Sequence, residues 1–172
     1  AEWSTKDEVL PMRKIIAKKT RGIAMSPFHQ TFDCKKYFGA FVNSMMENRI
    51  HNLSGVGVDI NSPEWNKLIT KLMTDKVGGF DGDFKDFDSL LNPQMLTHVS
   101  QVILSWYRAN AATAGPHFEE EQRVRCDLFK DMFTAHNKIG PMLFKKKVGL
   151  NSGHFLTTTV NTIVTCIVMH YA

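Results

Sequence analysis

An acidic segment near the middle of the chain contains the residue types that bind a hard metal ion. Residues 79–88 read GFDGDFKDFD, in which Asp81 and Asp83 alternate with glycine and phenylalanine. In a strand the two carboxylates would share one face, while the aromatic rings would face the core. Two-metal phosphoryl transfer needs carboxylate oxygens around Mg²⁺, so this segment is a candidate metal site. The alternative is a solvated acidic turn.

A calcium-binding EF-hand does not fit the same acidic segment. Counted from Asp81, the fifth position is Lys85 and the sixth, which should be glycine, is Asp86. The twelfth position, which should be glutamate, is Asn92. A dedicated calcium loop is therefore excluded.

A second polar constellation lies in 149–161, which reads GLNSGHFLTTTVN. A Ser152-Gly153 turn that leads into a helix would bring backbone N–H groups and small hydroxyls close to a ligand. Thr157 and Asn161 are four residues apart and share a helix face. The alternative is a capped helix whose threonine and asparagine residues have no ligand.

A third group is basic and lies near the start of the chain. It comprises Lys6, the pair Arg13-Lys14, and the run 18–21, which reads KKTR. Cations at intervals along an extended segment could line a channel for phosphates, with arginine giving a bidentate grip. The alternative is an ordinary solvated charged face.

Composition limits the class of protein. The chain has 172 residues, of which 43% are hydrophobic and 22% charged, and this suits one globular domain or a piece of a larger protein. The net charge of +4 permits an anionic partner without requiring one. Three distant cysteines without a Cys-x-x-Cys pair exclude a zinc ribbon and a disulfide framework.

The chain has neither a secretion signal nor an apolar run of about 20 residues, the length needed to span a bilayer. It starts without methionine, and the last eleven residues read as a helix without a stop signal. We therefore expect a piece of a longer protein.

Apolar residues spaced three and four apart predict helices. A strand and a β-hairpin are predicted between these helices, so the expected class is α+β. The predicted helices are 33–48 behind an N-cap at Asp33, one from Pro63, one from Pro93, one from 119 to near 136, and one from about Phe155. A strand is predicted over 77–84 and a β-hairpin over 139–148. The methionine and aromatic stripes of the helices are predicted to form the core.

The order of these motifs resembles the RNA-dependent RNA polymerases of picorna-like positive-strand RNA viruses. The matching motifs are Lys6-Asp7-Glu8, Lys19-Thr20-Arg21, Val56-Gly57-Val58-Asp59 with Pro63-Glu64-Trp65, Asp83-x4-Asp88 with Leu91-Asn92-Pro93, and Ser152-Gly153-x3-Thr157-x3-Asn161. The last two are similar to the family's motifs A and B. The resemblance covers essentially the whole chain, and two spaced motifs in the correct order are more specific than either alone.

The resemblance implies a partial right-hand polymerase with fingers and palm elements, but without the catalytic Gly-Asp-Asp hairpin or the thumb. It implies a fingers-like segment with the basic motif (1–76) and a palm strand and helix with the first acidic motif (77–109). These are followed by a fingers insertion with a helix and a hairpin (110–148) and by a Ser-Gly loop with a truncated palm helix (149–172). Alone, this chain is expected to be inactive.

The resemblance also implies roles for individual residues. Asp83 would be catalytic and would bind Mg²⁺, or Mn²⁺ in its place, together with an acidic pair absent from this chain. The implied nucleotide-binding residues are Lys14, Lys19, Arg21, Asp88, Ser152, Gly153, Thr157 and Asn161. Within this set Asp88 and Asn161 would face each other around the ribose 2′-hydroxyl, and the basic residues would hold the triphosphate.

The sequence departs from the family pattern at two positions within these motifs. Leu10 stands where the family often has arginine, and Asn151 replaces the usual proline before Ser152. The implied partners are RNA template and primer, nucleoside triphosphates and other viral replication proteins, at membrane-associated replication complexes in the host cytoplasm.

Two alternatives stay open. A nonenzymatic RNA-binding module would use the basic segment but gain nothing from carboxylates beside phosphates. A reverse transcriptase would typically place a bulky aromatic residue where this chain has Asp88.

Overall fold

The computed structural model describes residues 1–52, 54–73, 79, 81–85, 87–146 and 148–171, and it shows an α+β fold, as the sequence predicts. Within those ranges there are four strands, seven α-helices and one 3₁₀ turn at Ala111–Thr113. The strands are β1 (Glu2–Thr5), β2 (Gly22–Met25), β3 (His136–Ile139) and β4 (Met142–Lys145). The helices are α1 (Met12–Ile16), α2 (Phe28–Glu47), α3 (Pro63–Met73), α4 (Phe87–Leu90), α5 (Pro93–Ala109), α6 (Phe118–Phe133) and α7 (Thr157–Tyr171).

The four strands form one sheet in the order β2-β1-β3-β4. The pairs β1–β2 and β3–β4 are antiparallel, whereas β1 meets β3 in parallel through Glu2 and Lys138. The indole N–H of Trp3 donates to Asn137 Oδ1 at 2.9 Å across this junction. The sheet therefore joins the start of the chain to a hairpin that begins only at His136.

The hydrophobic core is formed largely by α2, α5, α6 and α7, and it contains most of the apolar stripes predicted for these four helices. The core prediction is wrong for α3, where no residue is buried and Leu72 and Met73 are 70% and 72% exposed. Phe38 and Ile103 are completely buried in the core. Arg125 of α6 is also buried, and its Nε donates to Tyr37 O at 2.9 Å while its guanidinium lies 3.8 Å from the centre of the Tyr107 ring. Such a buried guanidinium is tolerated because its N–H groups find acceptors.

Helix α5 confirms the predicted start signal at residues 92 and 93. Asn92 is extended, its Oδ1 accepts the Met95 N–H at 2.8 Å, and Pro93 occupies the first helical turn, where a missing N–H costs nothing. Helix α3 begins at Pro63 and α7 at Thr157, two residues after the predicted start.

The predicted start of α2 and the predicted end of α6 are wrong by several residues. Helix α2 begins at Phe28 rather than at Asp33, because Pro27 supplies the last non-helical residue, with φ −56° and ψ 146°, and Pro27 O accepts the Thr31 N–H. Helix α6 ends at Phe133 rather than near His136, because His136 already pairs with Lys145 in the β3–β4 hairpin. The pairing of β3 with β4 therefore takes the place of the last predicted turn of α6.

The strand predicted over 77–84 is absent from residues 79 and 81–84, the part of this range that the structure describes. Residues 74–78 and 80 lie outside the described ranges, and Asp81–Phe84 have no regular structure. Phe84 is 40% exposed, so it does not enter the core as the alternating pattern predicted. Its ring packs against Phe87 instead, with centroids 4.7 Å apart.

The segment 149–153 contacts two elements that are distant in sequence. Gly149 N–H donates to Leu91 O and Leu150 N–H to Asp88 O, each at 2.8 Å. Gly149 has a φ of +81°, and a Cβ there would overlap the carbonyl oxygen of Asp88. Gly153 forms a parallel bridge with Met25 of β2, and a Cβ there would overlap the carbonyl oxygen of Ala24. Both approaches require glycine, because backbone meets backbone.

We predict that Gly149→Ala destabilises the protein more than Gly140→Ala. Gly140 also has a positive φ, of +54°, but a Cβ there would meet no heavy atom within 4 Å. Backbone strain alone should cost about 1 kcal/mol at either position. The overlap with Asp88 O should add roughly 1–3 kcal/mol at Gly149. Urea unfolding of both variants measures the difference, and equal losses would contradict the close approach.

Candidate active site

The first feature of the site is a direct contact between Asp88 and Asn161. Asp88 lies in the first turn of the short helix α4, and Asn161 lies one turn into α7. The Asn161 Nδ2–H donates to Asp88 Oδ1 at 2.6 Å. The sequence predicted that these two side chains face each other, and the contact confirms that geometry. Asn161 Oδ1 is buried and has no hydrogen-bond partner among the residues described.

Asp83 lies between two clefts, each next to this pair. The first, the helix cleft, has a volume of about 590 Å³ and is lined by Ser54–Val56, Asp83, Asn161 and further α7 residues. The second, the loop cleft, has a volume of about 580 Å³ and is lined by Trp3, Arg21, Asp83, Asp88, Lys146 and Ser152, among others. Asp83 is exposed and lines both clefts.

Of the three basic residues predicted to bind phosphate, Arg21 lines one of the two clefts and Lys14 and Lys19 line neither. Arg21 lines the loop cleft, and its Nη1 lies 3.5 Å from Glu8 Oε2. Lys14 and Lys19 are exposed and line neither of the two clefts. Their backbones are joined, because Lys19 N–H donates to Lys14 O at 2.9 Å. A nucleotide-binding role for these two lysines stays a prediction.

The residues of the predicted Ser-Gly motif have different surroundings. Ser152 is exposed in the loop cleft, whereas Gly153 contacts β2 through its backbone. Thr157 is buried, and its hydroxyl donates to Asn151 O at 2.7 Å. The Thr157 hydroxyl therefore stabilises the loop from within and is not directed at a ligand in either cleft. Its predicted role in positioning a nucleotide can only be indirect.

His154, which the sequence left without a role, is part of the support beneath the loop. Its ring is buried, Nδ1 accepts the Leu156 N–H at 3.2 Å, and Nε2 lies 3.6 Å from Cys34 Sγ. Since Nδ1 is an acceptor, the neutral ring carries its proton on Nε2. Burial lowers the pKa of His154 to about 4 and raises the pKa of Cys34 to about 11, so both groups are neutral at pH 7. This pair is structural and not a nucleophile with its base.

The acidic segment contains one candidate metal ligand. Carboxylate oxygen is the donor that Mg²⁺ and Mn²⁺ prefer, and Asp83 presents one carboxylate to the clefts. In the part of the chain that the structure describes, no group of three His, Cys, Asp or Glu residues could hold a metal ion. Asp81 is exposed and lines neither cleft. The donor chemistry fits the ion, and further ligands must come from the substrate or from other residues.

Among the described helices, none is long and apolar enough to cross a membrane.

Comparison with known proteins agrees with the order of the motifs. The family model described as viral RNA-dependent RNA polymerase matches residues 2–172. The chain is 30% identical over 169 residues to the RNA1 polyprotein of Beet ringspot virus and 29% identical over 169 residues to that of Tomato black ring virus (strain MJ). It is 27% identical over 168 residues to the genome polyprotein of Deformed wing virus. These matches cover 97–98% of this chain but only 6–7% of each polyprotein.

We predict that His154 makes folding stability depend on pH. Its pKa is lower in the folded protein than the 6.5 of a free imidazole, so protonation favours the unfolded state. Stability should be complete above pH 6.5 and should fall by up to about 3 kcal/mol as the pH decreases to about 4. His154→Gln should flatten this part of the profile. Urea unfolding at several pH values measures it, with exposed His98→Gln as control, and parallel profiles for wild type and His154→Gln would contradict the assignment.

Proposed function

The chain belongs to the family of viral RNA-dependent RNA polymerases, and from that premise we propose that it carries part of the site for template-directed, metal-dependent nucleotidyl transfer in viral genome replication. The substrates would be nucleoside triphosphates and an RNA template with its primer. The Asp88–Asn161 contact beside Asp83 is the observation that best supports the proposal. It joins the acidic motif to the Ser-Gly motif, 73 residues apart, at the edge of two clefts.

The Asp88–Asn161 pair has the groups needed to recognise a sugar hydroxyl. The unpaired Asn161 Oδ1 is a buried acceptor, and leaving such a group without a donor costs about 1–3 kcal/mol. A ribose 2′-hydroxyl could donate to it, while Asp88 Oδ1 orients the amide through the 2.6 Å hydrogen bond. A deoxynucleotide has no such donor, so the site would favour ribonucleotides.

The other residues of the clefts would act by position and charge. Arg21 would bind the triphosphate, since its exposed side chain lines the loop cleft and has only a 3.5 Å ion pair with Glu8. Ser152 would offer a hydroxyl in the same loop cleft. The primer 3′-oxygen would attack the α-phosphorus and pyrophosphate would leave, with Arg21 offsetting negative charge in the transition state.

A divalent cation, Mg²⁺ or Mn²⁺, would be held in part by Asp83. It would stabilise charge on the attacking and leaving oxygens. Asp83 supplies only one carboxylate, so we expect the 172-residue chain on its own not to extend a primer. The protein's own contribution is to keep Asp83 accessible between the clefts.

The proposed division of the chain follows the right-hand polymerase plan. Residues 1–76 and 110–148 would belong to the fingers, and 77–109 with 149–172 to the palm. The sheet supports the grouping of 1–76 with 110–148, since it joins β1 and β2 of the first range to β3 and β4 of the second. Replication complexes on host cytoplasmic membranes, with other viral proteins, are the proposed setting.

We predict that Asn161→Ala and Asp88→Ala each reduce sugar selection by the polymerase that contains this chain. The ratio of kcat/KM for ribo- over deoxynucleotides should fall by about ten- to a hundredfold, because the hydroxyl loses its partners. Single-nucleotide incorporation with matched ribo and deoxy substrates measures the ratio. Thr158→Ala, which removes an exposed hydroxyl from the same helix and cleft, is the control. Equal losses on both sugars would show that the pair supports the fold or the metal instead.

We predict that Arg21→Ala raises the KM for nucleotides and lowers kcat in the same enzyme. An arginine on the triphosphate binds both the ground state and the transition state, so both constants should change. Steady-state kinetics with varied nucleotide concentration tests this. The control is Arg108→Ala, an exposed arginine of α5 that lines neither cleft. Kinetics like those of the control would remove Arg21 from the site.

A further inference from the structure

Lys146 is a half-buried cation in the wall of the loop cleft, outside every motif identified in the sequence. It follows directly after β4, and its stem passes over Gly149, with Cε 3.2 Å from the position of a Cβ there. Its ammonium donates to Leu150 O at 2.8 Å and lies 6.0 Å from the centre of the Trp3 ring. The hydrogen bond and the ring hold the charged group at the cleft.

This ammonium lacks a close anionic partner. Among the residues with described positions, no carboxylate lies within 4 Å of Lys146 Nζ. Desolvation lowers the pKa of Lys146, and the more distant Asp88 carboxylate offsets this only in part. One carbonyl oxygen satisfies one of its three N–H donors, and two donors are left. A half-buried charge without a counter-ion is costly, and an anion in the cleft would relieve that cost.

The rest of the loop cleft is suited to the same anion. Arg21 brings a second positive charge from the start of β2, and Thr20 and Ser152 add hydroxyl groups. The cleft therefore has cations and neutral donors from three separate segments of the chain, and it also contains the carboxylates of Asp83 and Asp88. Phosphate oxygens, which carry charge and accept several hydrogen bonds, match this set of donors.

We propose that Lys146 is a phosphate-binding residue of the loop cleft, acting together with Arg21. The phosphate would belong either to the nucleoside triphosphate or to the RNA backbone, and this choice rests on the proposed function. In both cases the ammonium contacts phosphate oxygens while it keeps its hydrogen bond to Leu150 O. Lys146 thereby links the loop that carries Ser152 to the bound phosphate.

The test uses Lys146→Gln and Lys146→Arg in the polymerase that contains this chain. Glutamine removes the charge but keeps an N–H donor for Leu150 O, and arginine keeps the charge. Lys145→Gln is the matched control, because Lys145 is the exposed neighbouring lysine and lines neither cleft. Thermal unfolding of all variants confirms that they are folded.

Two measurements distinguish the sources of phosphate. In the first, a single-stranded RNA is titrated at several salt concentrations in EDTA, and loss of one phosphate contact should reduce the salt slope by about 0.7. In the second, the KM for nucleotides is measured on a fixed primer and template, and loss of a triphosphate contact should raise it about tenfold. Lys146→Arg should retain most of the wild-type value in either measurement.

A lower salt slope with unchanged KM would assign Lys146 to the RNA backbone, and a raised KM with unchanged slope would assign it to the triphosphate. If Lys146→Gln matches Lys145→Gln in both measurements, the proposal is wrong. A loss in kcat alone, shared by Lys146→Gln and Lys146→Arg, would also overturn it and indicate a purely structural role. If the wild-type polymerase binds RNA but incorporates no nucleotide, the proposed function fails while the salt slope still decides the role of Lys146.

Discussion

The structure depends on the close approach of one loop to two distant backbones. Gly149 lies against the carbonyl of Asp88, and Gly153 lies against the carbonyl of Ala24, where any Cβ would overlap an oxygen atom. Hydrogen bonds from Gly149 and Leu150 to the segment 88–91 complete the contact. Because α7 follows this loop directly, the same contacts determine where Asn161 lies relative to Asp88. The acidic motif and the Ser-Gly motif form one site only through this loop.

Several polar groups beneath the loop are satisfied internally, although Asn151 Oδ1 in the loop is buried and has no hydrogen-bond partner among the described residues. Thr157 donates to Asn151 O, and His154 accepts from Leu156 N while it contacts Cys34. These bonds prevent the cost of burying polar atoms without partners. Asn161 Oδ1 is also buried without a partner among the described residues, whereas Ser152 is exposed in the loop cleft. The internal bonds hold the loop in shape, and the exposed Ser152 hydroxyl can be reached directly by a ligand in the cleft.

The positively charged residues also differ in how far neighbouring groups compensate their charge. Arg125 is buried and lines neither cleft, and each of its three guanidinium nitrogens donates one hydrogen bond, to Tyr37 O, Gln122 Oε1 and Glu121 Oε2. Arg21 is exposed and has only a 3.5 Å contact with Glu8, and Lys146 has a carbonyl and a ring as neighbours. Cations with incomplete local compensation are the ones that gain most from a phosphate ligand. Arg21 and Lys146 both line the loop cleft together with Asp83, so a substrate bound there as proposed would meet charges of both signs.

Local signals in the sequence predicted the five longer helices, α2, α3, α5, α6 and α7, apart from the start of α2 and the end of α6, but they did not predict the short helices α1 and α4. Asn92 and Pro93 predicted the start of α5 because capping and proline geometry act over a few residues, and the spacing of Thr157 and Asn161 predicted a shared helix face. The features that depend on contacts between distant segments were decided only by the tertiary structure. It added β1 and β2 to a sheet with β3, turned the Thr157 hydroxyl inward, and placed Lys146 in the wall of the loop cleft. Four-residue strands carry too little periodicity to be read locally, and a lone lysine after β4 has no spacing that reveals its neighbours, because long-range packing sets both.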